Sequence, residues 1–352
     1  MKQHFKRFSL LALLASSLFF TACKEESTTP PVPDPLAAYG SGIFVVNEGP
    51  FQNGTGTITF INRTTSAVEQ DVFQAANGRP LGNVAQSMAS FGTVGMVVVN
   101  NAGKVEFVDL KDFKSTGVIE NMALPSGIVV AGNTGKAYVT EWVSFSGNGR
   151  VAVIDIASKQ VVRRIAVGEF PNAVIWHNNR IFVANSNQNT VVEIDAQADT
   201  ILRTHTVGDR PNSMVSVGNS LFVLCSGTPS WAGTETAGAL AEIVGSQVNV
   251  RNFTAATMHP GNLTLHPDGG SFLYQLSDGV YSLSPTASGN INPGSPVIAR
   301  KFYHFSADPQ GLLYGTDAKD FVSNGVILRY ERNFTLRDSL PAGIAPGSIH
   351  YR

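Results

Sequence analysis

The sequence predicts an all-β fold, a seven-bladed β-propeller with four-stranded blades, its ring closed by the C-terminal strand joining the N-terminal blade. Three observations predict it. A unit of four short apolar runs recurs seven times between Gly42 and the C-terminus. The third runs end at Asn62, Asp109, Asp155, Asp195, Val244, Ser284 and Glu331, a mean spacing of about 45 residues that lies near the propeller-blade period. The runs are rich in Val, Ile, Phe and Tyr and are bounded by Gly, Asn, Asp and Pro, which reads as strand rather than helix.

The first unit starts at its second strand, Gly42-Ile43-Phe44-Val45-Val46-Asn47, with no opening motif before it. Later units are complete. One opens at Pro125-Ser126-Gly127-Ile128 and continues through Ala137-Tyr138-Val139-Thr140, Val151-Ala152-Val153-Ile154-Asp155 and Val161-Val162-Arg163-Arg164. The next opens at Pro171-Asn172-Ala173-Val174 and repeats the order. Hairpin signals fall between runs, at Asn133-Thr134-Gly135, Asn178-Asn179 and Asp268-Gly269-Gly270. The opening missing from the first unit stands at the far end, in Ala345-Pro346-Gly347-Ser348-Ile349, matching Arg210-Pro211-Asn212-Ser213-Met214 in type and spacing. Residues 346–351 are therefore predicted as the innermost strand of the blade begun at Gly42. A four-stranded unit cannot bury both faces alone, so radial packing and closure cover the faces and remove the open edges.

Composition agrees: 43% hydrophobic, 14% charged and rich in glycine, as many short buried strands and tight turns require. The unbroken repeat argues for one domain over residues 40–352. Residues 1–22 read as a signal peptide, because Lys2, Lys6 and Arg7 precede a short apolar stretch and small residues. Cys23 directly after them resembles the lipidated first residue of a bacterial lipoprotein, and residues 23–39 read as lipid anchor and Pro-rich linker. Ordinary secretion with a free Cys23 is the alternative. Lys24-Glu25-Glu26 resembles the acidic tag that exports some lipoproteins to the cell surface, and reads equally as a solvated charge run. The expected location is the outer membrane, lipid-anchored and surface-exposed, with a periplasm-facing anchor as the alternative. Net charge is −1, and no basic patch or lysine-rich tail is present, so no nucleic-acid partner is expected. With Cys23 lipidated, Cys225 has no partner and reads as a small buried residue at a strand end.

Geometry then points to a site. Adjacent strands of a blade are antiparallel, so the seven openings and the seven loops after the second strands share one face. Counted from the second strand to the end of the third, blades one, three, five and seven span 18, 17, 22 and 18 positions, against 12, 13 and 12 in the others. The long loops carry Glu48 and Phe51, Trp142 and Phe145, Trp231, and Asp317, while short loops add Asn100 and Asn187. Aromatics beside amides and carboxylates make an amphipathic contact surface, and loops on a rigid scaffold are where binding residues concentrate. These eight residues are the predicted ligand-binding set. The bland alternative is that each aromatic packs against its own blade.

Catalytic chemistry is not indicated. His177, His205, His259, His266, His304 and His350 form no spaced cluster with Cys, Asp or Glu, so no metal, cofactor or catalytic residue is expected. There is no Gly-x-Ser-x-Gly elbow and no phosphate loop. Asp109, Asp155 and Asp195 recur with the repeat and read as turn caps.

Tyr138-Val139-Thr140-Glu141, Phe182-Val183-Ala184-Asn185 and Phe44-Val45-Val46-Asn47, followed by Val-Ile-Asp or Glu-Ile-Asp runs, resemble the YVTN-repeat β-propellers. Asn47-Glu48-Gly49-Pro50-Phe51 and Ala76-Asn77-Gly78-Arg79-Pro80-Leu81-Gly82 resemble surface-lipoprotein propellers of gut-type bacteria, some of which capture vitamin B12 for an outer-membrane transporter. The resemblance implies a ligand on the loop-bearing face. The first expectation is a non-enzymatic capture protein that binds a small-molecule nutrient such as a corrinoid and passes it to a TonB-type transporter. The second is a module that binds a protein or a surface polymer through the same loops. The third is a propeller lactonase or lyase.

Overall fold

The computed structural model describes residues 38–51 and 54–352. Among them the chain forms seven antiparallel sheets. The third strands end at Asn62, Asp109, Asp155, Asp195, Val244, Leu283 and Tyr330, five at the predicted residue and two one residue earlier. Pro346–Tyr351 pairs with Gly42–Asn47, with Phe44 opposite His350 and Val45 opposite Ile349. The predicted closure is therefore formed.

The core explains why the second strands are apolar without alternation. In Gly42–Asn47 every residue is buried. Ile43 and Val45 face blade seven and join Tyr314 and Ile327. Phe44 and Val46 face blade two and join Val97 and Val99. A strand covered on both faces has no solvent side to supply polar residues. Seven such apolar layers exist, one at each junction between neighbouring blades. Each fully buried Val, Ile or Phe contributes on the order of 2 kcal/mol, so the layers dominate stability.

Polar bonds repeat the circuit near the channel. Ser348 donates to Gln86 O at 2.8 Å, Ser87 to Ser126 O, and Ser126 to Asn172 Oδ1 at 2.6 Å. Ser186 donates to Pro211 O at 2.8 Å and Asn212 to Pro260 O at 2.9 Å. Thr264 accepts from Ala307 N at 3.1 Å, and Thr316 donates to Pro346 O at 2.7 Å, closing the ring between blades seven and one.

Two departures from the repeat have physical causes. Blade six holds three strands, Gly261–Leu265, Phe272–Leu276 and Gly279–Leu283; its fourth position is reduced to a single bridge from Ile298 to Val280, while Ile291 bridges to Phe253 at the end of blade five. Pro285, Pro293 and Pro296 in that stretch remove ladder donors. In blade one the fourth strand is only Val68–Glu69, and a short helix, Val72–Asn77, follows. Val72 and Phe73 are buried under it, Asp71 caps it by accepting from Gln74 N, and Gly78 ends it at φ 64°. Tyr39 packs edge-on against Phe60 at 4.8 Å and Phe113 at 5.3 Å. Residues 1–37, with Cys23 and the expected signal and linker, lie outside the described residues.

Candidate functional site on the loop-bearing face

The loops of blades one to five, long and short alike, rise from the same anchor. The residue after the second strand donates its backbone N–H to the carbonyl just before the blade's innermost strand. These bonds are Glu48 to Ala345 at 2.9 Å, Asn100 to Val84 at 2.7 Å, Trp142 to Leu124 at 3.2 Å, Ser186 to Phe170 at 3.1 Å and Ser226 to Arg210 at 3.0 Å. All five acceptors are non-glycine residues at φ between 51° and 59°. That left-handed turn swings the chain from one blade's rim into the next blade's channel strand, at about 1–3 kcal/mol each. Its recurrence in five blades marks it as scaffold.

Most polar residues of the repeat signature are used inside the blades. Glu141 is fully buried and accepts from Ala123 N at 2.7 Å, Arg150 at 2.7 Å and Arg164 at 3.3 Å. Asn47 donates to Thr57 and Thr59 and accepts from Gly343 N. Asp195 accepts from Gln197 N and Ala198 N, Asp155 from Ser158 N and Asp109 from Lys111 N, as turn caps. The Asn77-Gly78-Arg79 segment is also structural: Asn77 bonds Phe113 O, and Arg79 pairs with buried Glu106 at 2.7 Å. Burial pushes the Cys225 thiol up to about 12, so it is no nucleophile at neutral pH. Among the described residues no group of three or more His, Cys, Asp or Glu could hold a metal ion.

The eight predicted contacts divide. Phe51, Phe145 and Trp231 stand free, 71%, 70% and 81% exposed, and the Arg210 guanidinium lies 5.8 Å from the Trp231 ring. Asn187 is exposed on the same face. Glu48 is half-buried. Burial raises its carboxyl above the ordinary value, and the hydrogen bond from Tyr303, at 3.0 Å, opposes that rise. Tyr303 in turn meets Phe321 edge-on at 5.0 Å, so a blade seven aromatic pair is tied to blade one through Glu48. Asp317 pairs with Arg300 at 2.6 Å, and the Lys319 backbone N–H holds its carboxyl below the ordinary range. Trp142 is half-buried and stacked on Phe170 at 4.2 Å, the opening residue of blade four rather than part of its own loop. Asn100 is buried and donates to Pro125 O at 2.8 Å, tying blade two to blade three, because a buried amide needs a partner.

The eight residues line no single cavity. The channel itself, about 400 Å³, is lined by all seven innermost strands, including Ser87, Asn172, Asn212, His304 and Ser348. Sequence reasoning missed a cavity of about 660 Å³ on the loop-bearing face at blade six, among Met258, His259, Asp278, Tyr281 and Lys301. That blade has a short loop, and the irregular segment in place of its fourth strand lines the space through Pro293 and Gly294. It also missed two underside cavities. One, about 870 Å³, lies beside Trp176 and Arg180. The other, about 590 Å³, lies beneath the blade seven–one seam among Arg63, Arg329 and Arg332.

Fold and geometry define a seven-bladed β-propeller in which half of the exposed large apolar side chains among the described residues stand on the loop-bearing face and most of the rest on outermost strands. The domain of unknown function DUF5074 matches residues 41–265, and the chain belongs to that family. No curated protein matches. Among solved structures, the chain is similar to a quinonprotein alcohol dehydrogenase-like protein from Bacteroides thetaiotaomicron, at 15% identity and TM-score 0.65, over 88% of this chain and 78% of that one. A functionally unknown protein from Desulfotomaculum acetoxidans matches at 13% identity and TM-score 0.65, over 88% and 98%. The hydrazine synthase of Kuenenia stuttgartiensis matches at 18% identity and TM-score 0.56, over 73% and 86%. At these identities the likeness shows the fold alone.

Proposed function

We propose that this protein is a non-enzymatic surface lipoprotein that captures a bulky ligand on its loop-bearing face and delivers it to a TonB-type outer-membrane transporter. A corrinoid is the first ligand to test. One observation carries the reading. Phe51, Val143, Phe145, Trp231, Tyr303, Phe321 and Val322 are exposed large apolar side chains, and all sit on that face. The others among the described residues lie on outermost strands, except Val244 at an underside turn. Apolar side chains gathered on one rigid face of a soluble disc mark an interaction surface. Ala38 and Tyr39 bond to Lys111 O and Leu110 O at an underside turn. An anchor at Cys23 would therefore join the disc opposite the loops, leaving them facing outward. Titration with cyanocobalamin and cobinamide tests the reading, and flat titrations against both remove the corrinoid.

A second reading, a module for a protein or a surface polymer, is favoured by the spread of the crests over four blades with no shared cavity. Retention on a surface polysaccharide, with no corrinoid binding, would establish it.

A further inference from the structure

Resting on that reading, we propose that the junction between blades three and four on the loop-bearing face is a subsite for a planar carboxamide group of the ligand. Among the described residues only two buried side-chain nitrogen or oxygen atoms lack a hydrogen-bond partner: Trp142 Nε1 and Asn185 Oδ1. One is a donor and the other an acceptor. An orphaned buried group costs about 1–3 kcal/mol, and folded proteins pair nearly all of them, so each calls for a partner.

The two residues meet the same junction between blades three and four. Trp142 follows the second strand of blade three, Lys136–Glu141, and Asn185 ends that of blade four, Arg180–Asn185. Both flank Phe170. The Trp142 ring stacks on it with 18° between planes, while Asn185 is paired with the next residue, Pro171. Asn185 is 1% exposed, and its Nδ2 is committed to Thr190 Oγ1 at 2.9 Å, which leaves Oδ1 bare. A Cβ on Gly168 would lie 2.5 Å from Asn185 Nδ2, so only glycine leaves room for that amide. A carboxamide offers its carbonyl to the indole N–H and its own N–H to Asn185 Oδ1, with a flat flank for the aromatic stack. A carboxylate lacks the donor, and an alcohol lacks the flat face. Both atoms are covered, so an entering group must shift a neighbouring side chain; the exposed Phe145 ring stands 6.3 Å from that of Trp142.

The test uses the Trp176→Phe/Trp231→Phe variant of the full mature chain, in which Trp142 is the sole indole, labelled with ¹⁵N. Benzamide and N,N-dimethylbenzamide, which keeps the acceptor and loses the donor, are titrated while the indole N–H resonance is followed. Benzamide is expected to move it, with the dimethyl compound about tenfold weaker and Asn185→Ser lowering the benzamide response about tenfold, the worth of one hydrogen bond. No movement up to the solubility limit, equal responses to both amides, or an indole proton already held by a trapped water that neither displaces would overturn the subsite. Should Asn185→Ser not fold, saturation transfer to benzamide is compared in Trp142→Phe, which keeps the stack; unchanged transfer also overturns it. Corrinoid binding without a benzamide response sinks the subsite alone, and a benzamide response without corrinoid binding sinks only the corrinoid.

Discussion

Glu141 shows how the residue scale works in this protein. Its carboxylate is fully buried and balanced by Arg150, Arg164 and a backbone N–H. Removing it leaves the Ala123 N–H without its acceptor and opens a buried space, so Glu141→Ala is expected to lower stability by about 2 kcal/mol in urea unfolding. Trp142→Phe should behave oppositely. It keeps the stack on Phe170 and deletes an orphaned N–H, so stability should stay level or rise by about 1 kcal/mol; a marked loss would mean the indole has a partner. His304, which lines the channel, and His350, which bonds Ser90 and stacks on Phe44, set a pH dependence. Burial lowers His304 to about 4, and burial with nearby Arg352 lowers His350 to about 4. Both folded-state values lie below the unfolded value of about 6.5, so as pH falls the unfolded chain takes up protons first. Stability is then lost from about pH 6.5 down to about 4. Melting curves across that window should show the loss, and His350→Asn should shallow it.

At the scale of elements, blade six is the weak member. Residues 284–300 are held by isolated bridges rather than a ladder, so their amides should exchange with deuterium faster than any complete outermost strand. Protection there equal to that of Thr200–Thr206 in blade four would contradict this. Strands were legible in the sequence because each carries its own apolar run and turn residues, and even the missing opening of blade one could be traced to Pro346. The helix Val72–Asn77 was not legible. Six residues make too few turns for a periodic signal, and only Asp71 before it and Gly78 after it hinted at caps. The gap in blade six was written in three prolines, but the cavity beside it on the loop-bearing face depends on packing that no local pattern encodes.

For the whole molecule, closure fixes which residues share a face. Deleting residues 346–352 would bare the edge of Gly42–Asn47 and uncover the layer between blades seven and one, so the truncated chain is expected to aggregate rather than melt cooperatively. Loop lengths in the sequence were enough to place Phe51, Phe145 and Trp231 on one rim. They could not tell free side chains from committed ones: Asn100 serves Pro125, Asp317 serves Arg300 and Trp142 rests on Phe170. Those partners come from neighbouring blades or distant turns, where sequence spacing gives no guide. The underside cavity at Trp176 is the rival site, and one measurement separates the two faces. Calorimetric titration of cyanocobalamin is run on the parent chain, on Phe145→Ser/Trp231→Ser and on Trp176→Ala. The account predicts binding to the parent, at least about tenfold weaker binding to the loop variant, and no change with Trp176→Ala, since hot-spot aromatics carry most of the energy. Binding that survives in the loop variant and is lost with Trp176→Ala would contradict it.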